Sequence, residues 1–249
     1  MHCEININHT IYKTDLSKPI DISIPLSDSV NNISAWYVPP PRFEPVKTND
    51  FIGNVNEGGS VNFCNIFFNP HGHGTHTECV GHISKENFTI NQCLKNFFAL
   101  VEVVSIEPEI ITNGDKVITA QQIASRCQFQ TQALIVRTLP NATNKLNRQY
   151  SNTNPPYFLK EAIEVLLQKN IIHLLTDLPS VDKEKDEGKL LAHHTFWGYP
   201  TNPQTYKTIT EMVFVPDTVL DGLYLLNLMI APFENDASPS KPILYKIIF

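Results

Sequence analysis

Between residues 97 and 175 short apolar runs alternate with helix-forming segments, and this rhythm restricts the possible folds more than any other feature of the chain. Phe-Phe-Ala-Leu-Val-Glu-Val-Val-Ser over 97–105 and Ala-Leu-Ile-Val-Arg-Thr over 133–138 read as buried strands. Residues 120–127 read as a short helix between them. Over 157–168 apolar side chains fall at 158, 159, 162, 163, 166 and 167, a helical period, and the apolar run 171–175 follows directly. Strand, helix, strand, helix, strand is a βαβ unit, so this half is α/β. Further strands are expected at 206–215, at 222–230 and at 60–68, and a short strand then a turn within 11–24, where Pro19 bars a helix. No internal repeat and no linker divides the chain, which predicts one domain over 1–249.

The strand at 60–68 delivers the chain to Asn-Pro-His-Gly-His-Gly-Thr-His-Thr-Glu-Cys-Val-Gly-His, residues 69–82. His71 to His82 hold four of the nine histidines, a clustering that points to a metal or catalytic site. Glycines at 72, 74 and 81 oppose a helix, and in an extended segment His76 and Glu78 share a face. Imidazole with carboxylate is the ligand set of Zn²⁺, Mn²⁺ or Fe²⁺. His193-His194 is a second concentration, and Glu211 lies among apolar neighbours, where a carboxylate is costly unless paired or bound to a cation. The candidate ligands are therefore His71 or His73, His76, Glu78, His193 and Glu211. His82, four residues past Glu78, is the candidate general acid and base.

Competing readings attach to several residues. Cys79 with His82 or His76 as base is a rival nucleophile, and histidines that only pin a turn are the bland alternative. Asp177 falls just past a strand's C-terminal end, either as part of a ligand site or as a turn or cap residue. Residues 182–189 read as a solvated charged loop. Residues 27–59, rich in Asn, Ser and Pro, read as a functional loop or lid, in which Trp36 and Phe43 either line a substrate pocket or pin the loop.

A net charge of −6 without a Lys/Arg cluster argues against nucleic-acid and anionic-membrane surfaces and favours a small-molecule or protein partner. Five scattered cysteines without a CxxC pair suggest reduced thiols. No signal-like or membrane-spanning stretch is present, so a cytoplasmic location is the expectation and the Asn-X-Ser/Thr triplets at Asn8, Asn32, Asn87 and Asn141 carry no weight.

Gly74-Thr75-His76-Thr77-Glu78-Cys79-Val80-Gly81-His82 resembles the HxGTHxDxPxH signature of the cyclase-like metal hydrolase superfamily, which includes bacterial kynurenine formamidase and isatin hydrolase. Asp15-Leu16-Ser17 with Pro19-Ile20 resembles that family's opening DLSHPI strand, and residues 177–194 resemble its DTPSxD…HH segment. Glu211 and Ala237-Ser238-Pro239 resemble its closing Glu and D-x-SPVR stretch, so the likeness spans nearly the whole chain. It implies a swivelling β/β/α fold, a mixed sheet core with flanking helices, in a homo-oligomer, dimer or tetramer. It also implies one or two divalent metals per chain, Zn or Mn, and hydrolysis of the C–N bond of a formamide or cyclic amide. Carried over, His76, Glu78, His193 and Glu211 would be metal ligands, Glu78 a candidate bridge, and His82 the acid/base.

The chain departs from the pattern at four places. Glu78 replaces Asp, Val80 replaces Pro and Lys241 replaces Arg. The first signature histidine falls on Gly72, and a one-residue bulge would return His71, preferred over His73, to the site. These changes open a second reading, a catalytically altered member that binds a small molecule in the same pocket.

Overall fold

The structure, a computed structural model, describes residues 1–7 and 9–248; the Asn8 of the first acceptor triplet lies outside the described residues. The main sheet contains β1 (His2–Ile7), β2 (Thr10–Asp15), β3 (Ile20–Asp21), β4 (His76–Glu78) and β5 (Phe98–Ile106). It continues with β6 (Ala133–Thr138), β7 (His173–Thr176), β8 (Thr208–Glu211), β9 (Gly222–Ile230) and β10 (Ala237–Ile248). Seven of these run in the order β10-β9-β5-β6-β7-β8-β4, and β4 pairs back onto β10 to close a mixed barrel. Strands β5 to β8 are parallel, whereas β4, β9 and β10 pair antiparallel. The outcome is the α/β fold with a mixed sheet core expected from the sequence.

Every residue of β6 is buried, which is why its sequence shows no alternation: apolar clusters cover the sheet on both sides. One cluster is formed with α1 (Ala120–Arg126), α2 (Lys160–Gln168) and α3 (Leu191–Trp197). A capping box, Thr119 with Gln122, starts α1. Helix α2 begins three residues later than its apolar period suggests, because Tyr157–Phe158 pairs with Lys116–Ile118 in a small side sheet. The preceding Pro155-Pro156 favours that extended entry. Each fully buried aliphatic side chain, such as Ile163, contributes about 1.5–3 kcal/mol.

Three elements differ from the sequence expectation. Strand β8 covers only part of 206–215, since Met212 adopts φ +53°, which ends the extended run directly after Glu211. Helix α3 follows the charged loop 182–189, and that loop is not wholly solvated: Asp182 is 7% exposed. The strand within 60–68, Cys64–Phe67, is exposed throughout and pairs with Arg42–Pro45 in a two-stranded hairpin outside the barrel. There Phe43 lies opposite Ile66.

The start of the long loop is stitched onto the histidine segment. Ala35 N–H donates to the Gly72 carbonyl at 3.0 Å, and Asn32 Nδ2 to the His73 carbonyl at 2.8 Å. Trp36 packs on Ile24, Ile33, Ala35, Tyr150 and Met212, which is the pinning role. Among the described residues no helix is long and apolar enough to cross a membrane.

Candidate metal centre

Strand β4 presents His76 and Glu78 on one face, as its two-residue period requires, and both side chains are fully buried. The register places Glu211 of β8 directly opposite His76, with Glu211 Oε2 3.4 Å from His76 Nε2. Glu211 Oε1 accepts the Val181 N–H at 3.0 Å. His76 Nδ1 lies 3.0 Å from the Gly74 carbonyl. A carbonyl can only accept, so Nδ1 carries a proton and Nε2 is the ring nitrogen turned toward the Glu211 carboxylate.

Glu78 is the centre of a longer array. Its Oε1 is 3.0 Å from His193 Nε2, and its Oε2 is 3.1 Å from His71 Nδ1. Behind each ring stands another carboxylate: Asp182 Oδ2 at 2.6 Å from His193 Nδ1 and Asp236 Oδ2 at 2.8 Å from His71 Nε2. The array thus reads Asp236, His71, Glu78, His193, Asp182. His82 closes the open edge, its Nδ1 3.1 Å from Asp236 Oδ2 and its Nε2 3.9 Å from Glu78 Oε2. Its side chain is 31% exposed, and its ring stacks on His71 at 4.2 Å.

The charges follow from this packing. Burial disfavours a charged His71, yet the Asp236 and Glu78 carboxylates outweigh it and raise the imidazole to about 10. Burial likewise opposes a charge on His193, and Asp182 with Glu78 lifts it well above the usual histidine value. Burial would keep Glu78 protonated, but the surrounding histidines, His82 and His193 foremost, hold it well below the usual carboxylate range.

Metal-free, the array needs protons between its carboxylates, and these are the positions a cation would take. Among the described residues His76 Nε2 is buried without a hydrogen-bond partner, and the buried Glu78 Oε2 faces the rings of His71 at 3.1 Å and His82 at 3.9 Å, the signature of a site built for another species. Three overlapping triads among the described residues each bring their ligand atoms within 4.8 Å of one another: His71, His76, Glu78; Glu78, His82, His193; and His71, His82, Asp236. Nitrogen and oxygen donors of this kind suit Zn²⁺ or Mn²⁺, so the residues present fit a divalent cation.

The structure brings His71, His76, Glu78, His82, His193 and Glu211 together and leaves other candidates outside. His73 faces the Pro39 carbonyl at 2.8 Å and accepts Asn69 N–H at 2.9 Å, pinning the loop. His71 returns on a turn in which Gly72 N–H donates to the Asn69 carbonyl at 3.2 Å, not on a strand bulge. Gly72 cannot be replaced freely: a Cβ there would lie 2.6 Å from Val38 Cγ2 and 3.2 Å from the Ala35 carbonyl. His194 faces the Tyr199 carbonyl at 3.0 Å. Cys79 is fully buried with its thiol toward the Phe88 carbonyl at 3.6 Å; its contact with Cys93 and its burial raise its pKa, which leaves no reactive thiolate. Asp177 pairs with Lys145 at 2.7 Å and with Thr138, away from the histidines. Sequence reasoning missed Asp236, although the motif D-x-SP places its acid there, and missed Asp182 as the support of His193 by treating its loop as solvated.

A closed mixed barrel whose wall carries a buried imidazole–carboxylate cluster able to hold a metal defines the class of protein. The cyclase family model ("Putative cyclase") matches residues 15–183, and the chain belongs to that family. Three solved structures share the fold. A predicted metal-dependent hydrolase from Bacillus stearothermophilus is 16% identical, with a TM-score of 0.65 over 92% of this chain and 98% of that one. An isatin hydrolase bound to the product analogue thioisatinate is 15% identical, with a TM-score of 0.65 over 93% of each chain. Isatin hydrolase A from Ralstonia solanacearum is 15% identical, with a TM-score of 0.64 over 92% and 91%. No curated protein matches the chain in sequence.

Proposed function

We propose that the protein is a metal-dependent hydrolase that cleaves the C–N bond of a formamide or cyclic amide. The observation that carries this reading is the buried His76 Nε2, without a hydrogen-bond partner among the described residues, in a cluster with Glu78, His71 and His193 and 3.4 Å from Glu211 Oε2. A divalent ion held there supplies a Lewis acid for the carbonyl and brings bound water to a pKa of about 7. Glu78, buried and anionic between two histidines, would be a ligand to such an ion. Asp182 and Asp236 hold the far nitrogens of His193 and His71, which fixes their rings. His82 stands at the solvent edge with Nε2 toward Glu78 and with Nδ1 held by Asp236. It is placed to take a proton from the attacking water and return it to the leaving nitrogen. The family membership and the metal-dependent and isatin hydrolases that share the fold support the reading.

The test is metal content by plasma mass spectrometry together with turnover of a panel of formamides and cyclic amides. We expect one or two equivalents of zinc or manganese, lost in a His76→Ala, Glu211→Ala double variant, and a His82→Ala variant that keeps metal and loses most turnover. Failure to take up metal after reconstitution would remove the reading, and normal turnover in His82→Ala would remove the role given to that residue.

A further inference from the structure

One oxygen serves two histidines: Asp236 Oδ2 lies 2.8 Å from His71 Nε2 and 3.1 Å from His82 Nδ1. A carboxylate oxygen only accepts, so both ring nitrogens carry protons, and the nitrogens left to act, His71 Nδ1 and His82 Nε2, both face Glu78 Oε2. We propose that Asp236 is a positioning residue that sets the ring orientation of both histidines, presenting His71 Nδ1 to the metal and His82 Nε2 to the proton being transferred. The metal part of this assignment rests on the hydrolase reading, whereas the orienting part does not.

Asp236 is held in place by the backbone. It immediately precedes β10, where Ala237 pairs with Glu78, and its own carbonyl accepts the Cys79 N–H at 3.0 Å. Gly81 lets it approach, since a Cβ at that position would lie 3.3 Å from Asp236 Cβ and 2.0 Å from the Phe88 carbonyl. The carboxylate is therefore fixed to the strand end that carries Glu78, and its distance to the cluster does not depend on a mobile loop.

This chain needs such a device. The motif's histidine position is Gly72, where the crossing at Val38 leaves no room for a side chain, so His71 must supply the ring from the adjacent turn position. A ring that arrives from there can flip about its χ2 bond and offer either nitrogen. The Asp236 oxygen behind Nε2 selects the flip that leaves Nδ1 toward Glu78. The stacked His82 ring, 4.2 Å away, shares that oxygen, so one acid fixes both.

The experiment compares Asp236→Ala and Asp236→Asn with the full-length wild type. In metal-free protein, proton–nitrogen NMR reads the ring N–H signals of His71 Nε2 and His82 Nδ1, the two that face Asp236, assigned with His71→Ala and His82→Ala; calorimetry then reads zinc binding. Wild type should show both protected signals, and Asp236→Ala should lose both and bind zinc about 10–100-fold more weakly. Asp236→Asn, whose amide oxygen can sit at the Oδ2 position, should keep the signals and fall between. Rescue of the ring signals by Asn distinguishes positioning from a structural role. Protected signals that persist in Asp236→Ala, or zinc affinity in that variant within twofold of wild type, would overturn the assignment. Wild type that binds no zinc would sink the hydrolase reading instead, and the NMR comparison would still decide whether Asp236 orients the rings.

Discussion

Glu78 of β4 and His193 of α3 meet at 3.0 Å, Oε1 against Nε2, with Asp182 behind the ring, Glu211 Oε1 3.9 Å from the same Nε2 and His71 on the other Glu78 oxygen. Two anions flank each imidazole, so the carboxylate in the middle decides whether the array holds protons or metal.

Removing that charge should therefore be felt twice. Glu78→Gln keeps the shape but takes away the buried anion, and we expect zinc affinity to fall by on the order of a hundredfold or more, with turnover lost alongside. Glu78→Asp restores the family's residue yet withdraws the oxygens by one methylene from rings placed for glutamate. It should cost about tenfold in affinity rather than improve it. Titration calorimetry on both variants decides, and an Asp variant that binds more tightly than wild type would show that the rings adjust to the carboxylate.

Protons and metal compete for the same gaps, which fixes the sign of the pH dependence. His71 is raised to about 10 in the metal-free fold by Asp236 and Glu78 against the opposing effect of burial. Its contribution to stability is complete below the unfolded value of about 6.5 and is lost as pH rises through about 10. The melting temperature of chelator-treated protein should accordingly drift down from pH 6.5 to 9. Zinc affinity should climb over the same range, with up to about two protons released per ion as His71 and His193 deprotonate. Calorimetry in buffers of different ionisation enthalpy counts those protons; no release at neutral pH would contradict the charged array.

Gly72 tests why the motif is shifted. A methyl group at 72 would meet Val38 Cγ2 at 2.6 Å, so Gly72→Ala should destabilise by about 1–3 kcal/mol through overpacking. Much of that loss should return in Val38→Ala, Gly72→Ala, because the two sites share the contact. Gly72→His in a His71→Ala background should not restore metal binding. Chemical denaturation gives the coupling energy, and an additive double variant would mean that the crossing at Val38 yields freely.

Much of this was readable in the chain, and the failures have physical causes. Strands β5 and β6 were legible because burial on both faces leaves uninterrupted apolar runs. His76 and Glu78 were legible as a pair because a strand repeats every two residues. Strand β10 was not: Pro239 and Pro242 break the usual strand signal, and the strand changes partners along its length, from β4 through β9 to β2. Helix α3 was hidden because its buried residues Ala192, His193, Phe196 and Trp197 follow a charged loop without a side-chain cap, while the remote Asp182 receives the Ala192 and His193 N–H groups. Asp236 escaped notice for a similar reason, since its two partners lie more than 150 residues away in sequence.

Asp177 illustrates a carboxylate in a ligand-like position that serves the fold. It sits just beyond β7, fully buried, where burial pushes its pKa up while Lys145 at 2.7 Å and the Thr138 N–H and hydroxyl pull it back. Lys145 is itself 6% exposed and also reaches the Thr138 hydroxyl at 3.1 Å, so each partner leaves the other a buried charge if removed. Lys145→Met should cost about 3–5 kcal/mol, and Lys145→Met combined with Asp177→Asn should recover a large part of it, because the stranded anion is gone. Metal stoichiometry should stay at the wild-type value in both, as none of these contacts reaches the histidine array. Denaturant unfolding followed by metal analysis of the same preparations tests the assignment, and loss of metal in the folded double variant would make Asp177 part of the site after all.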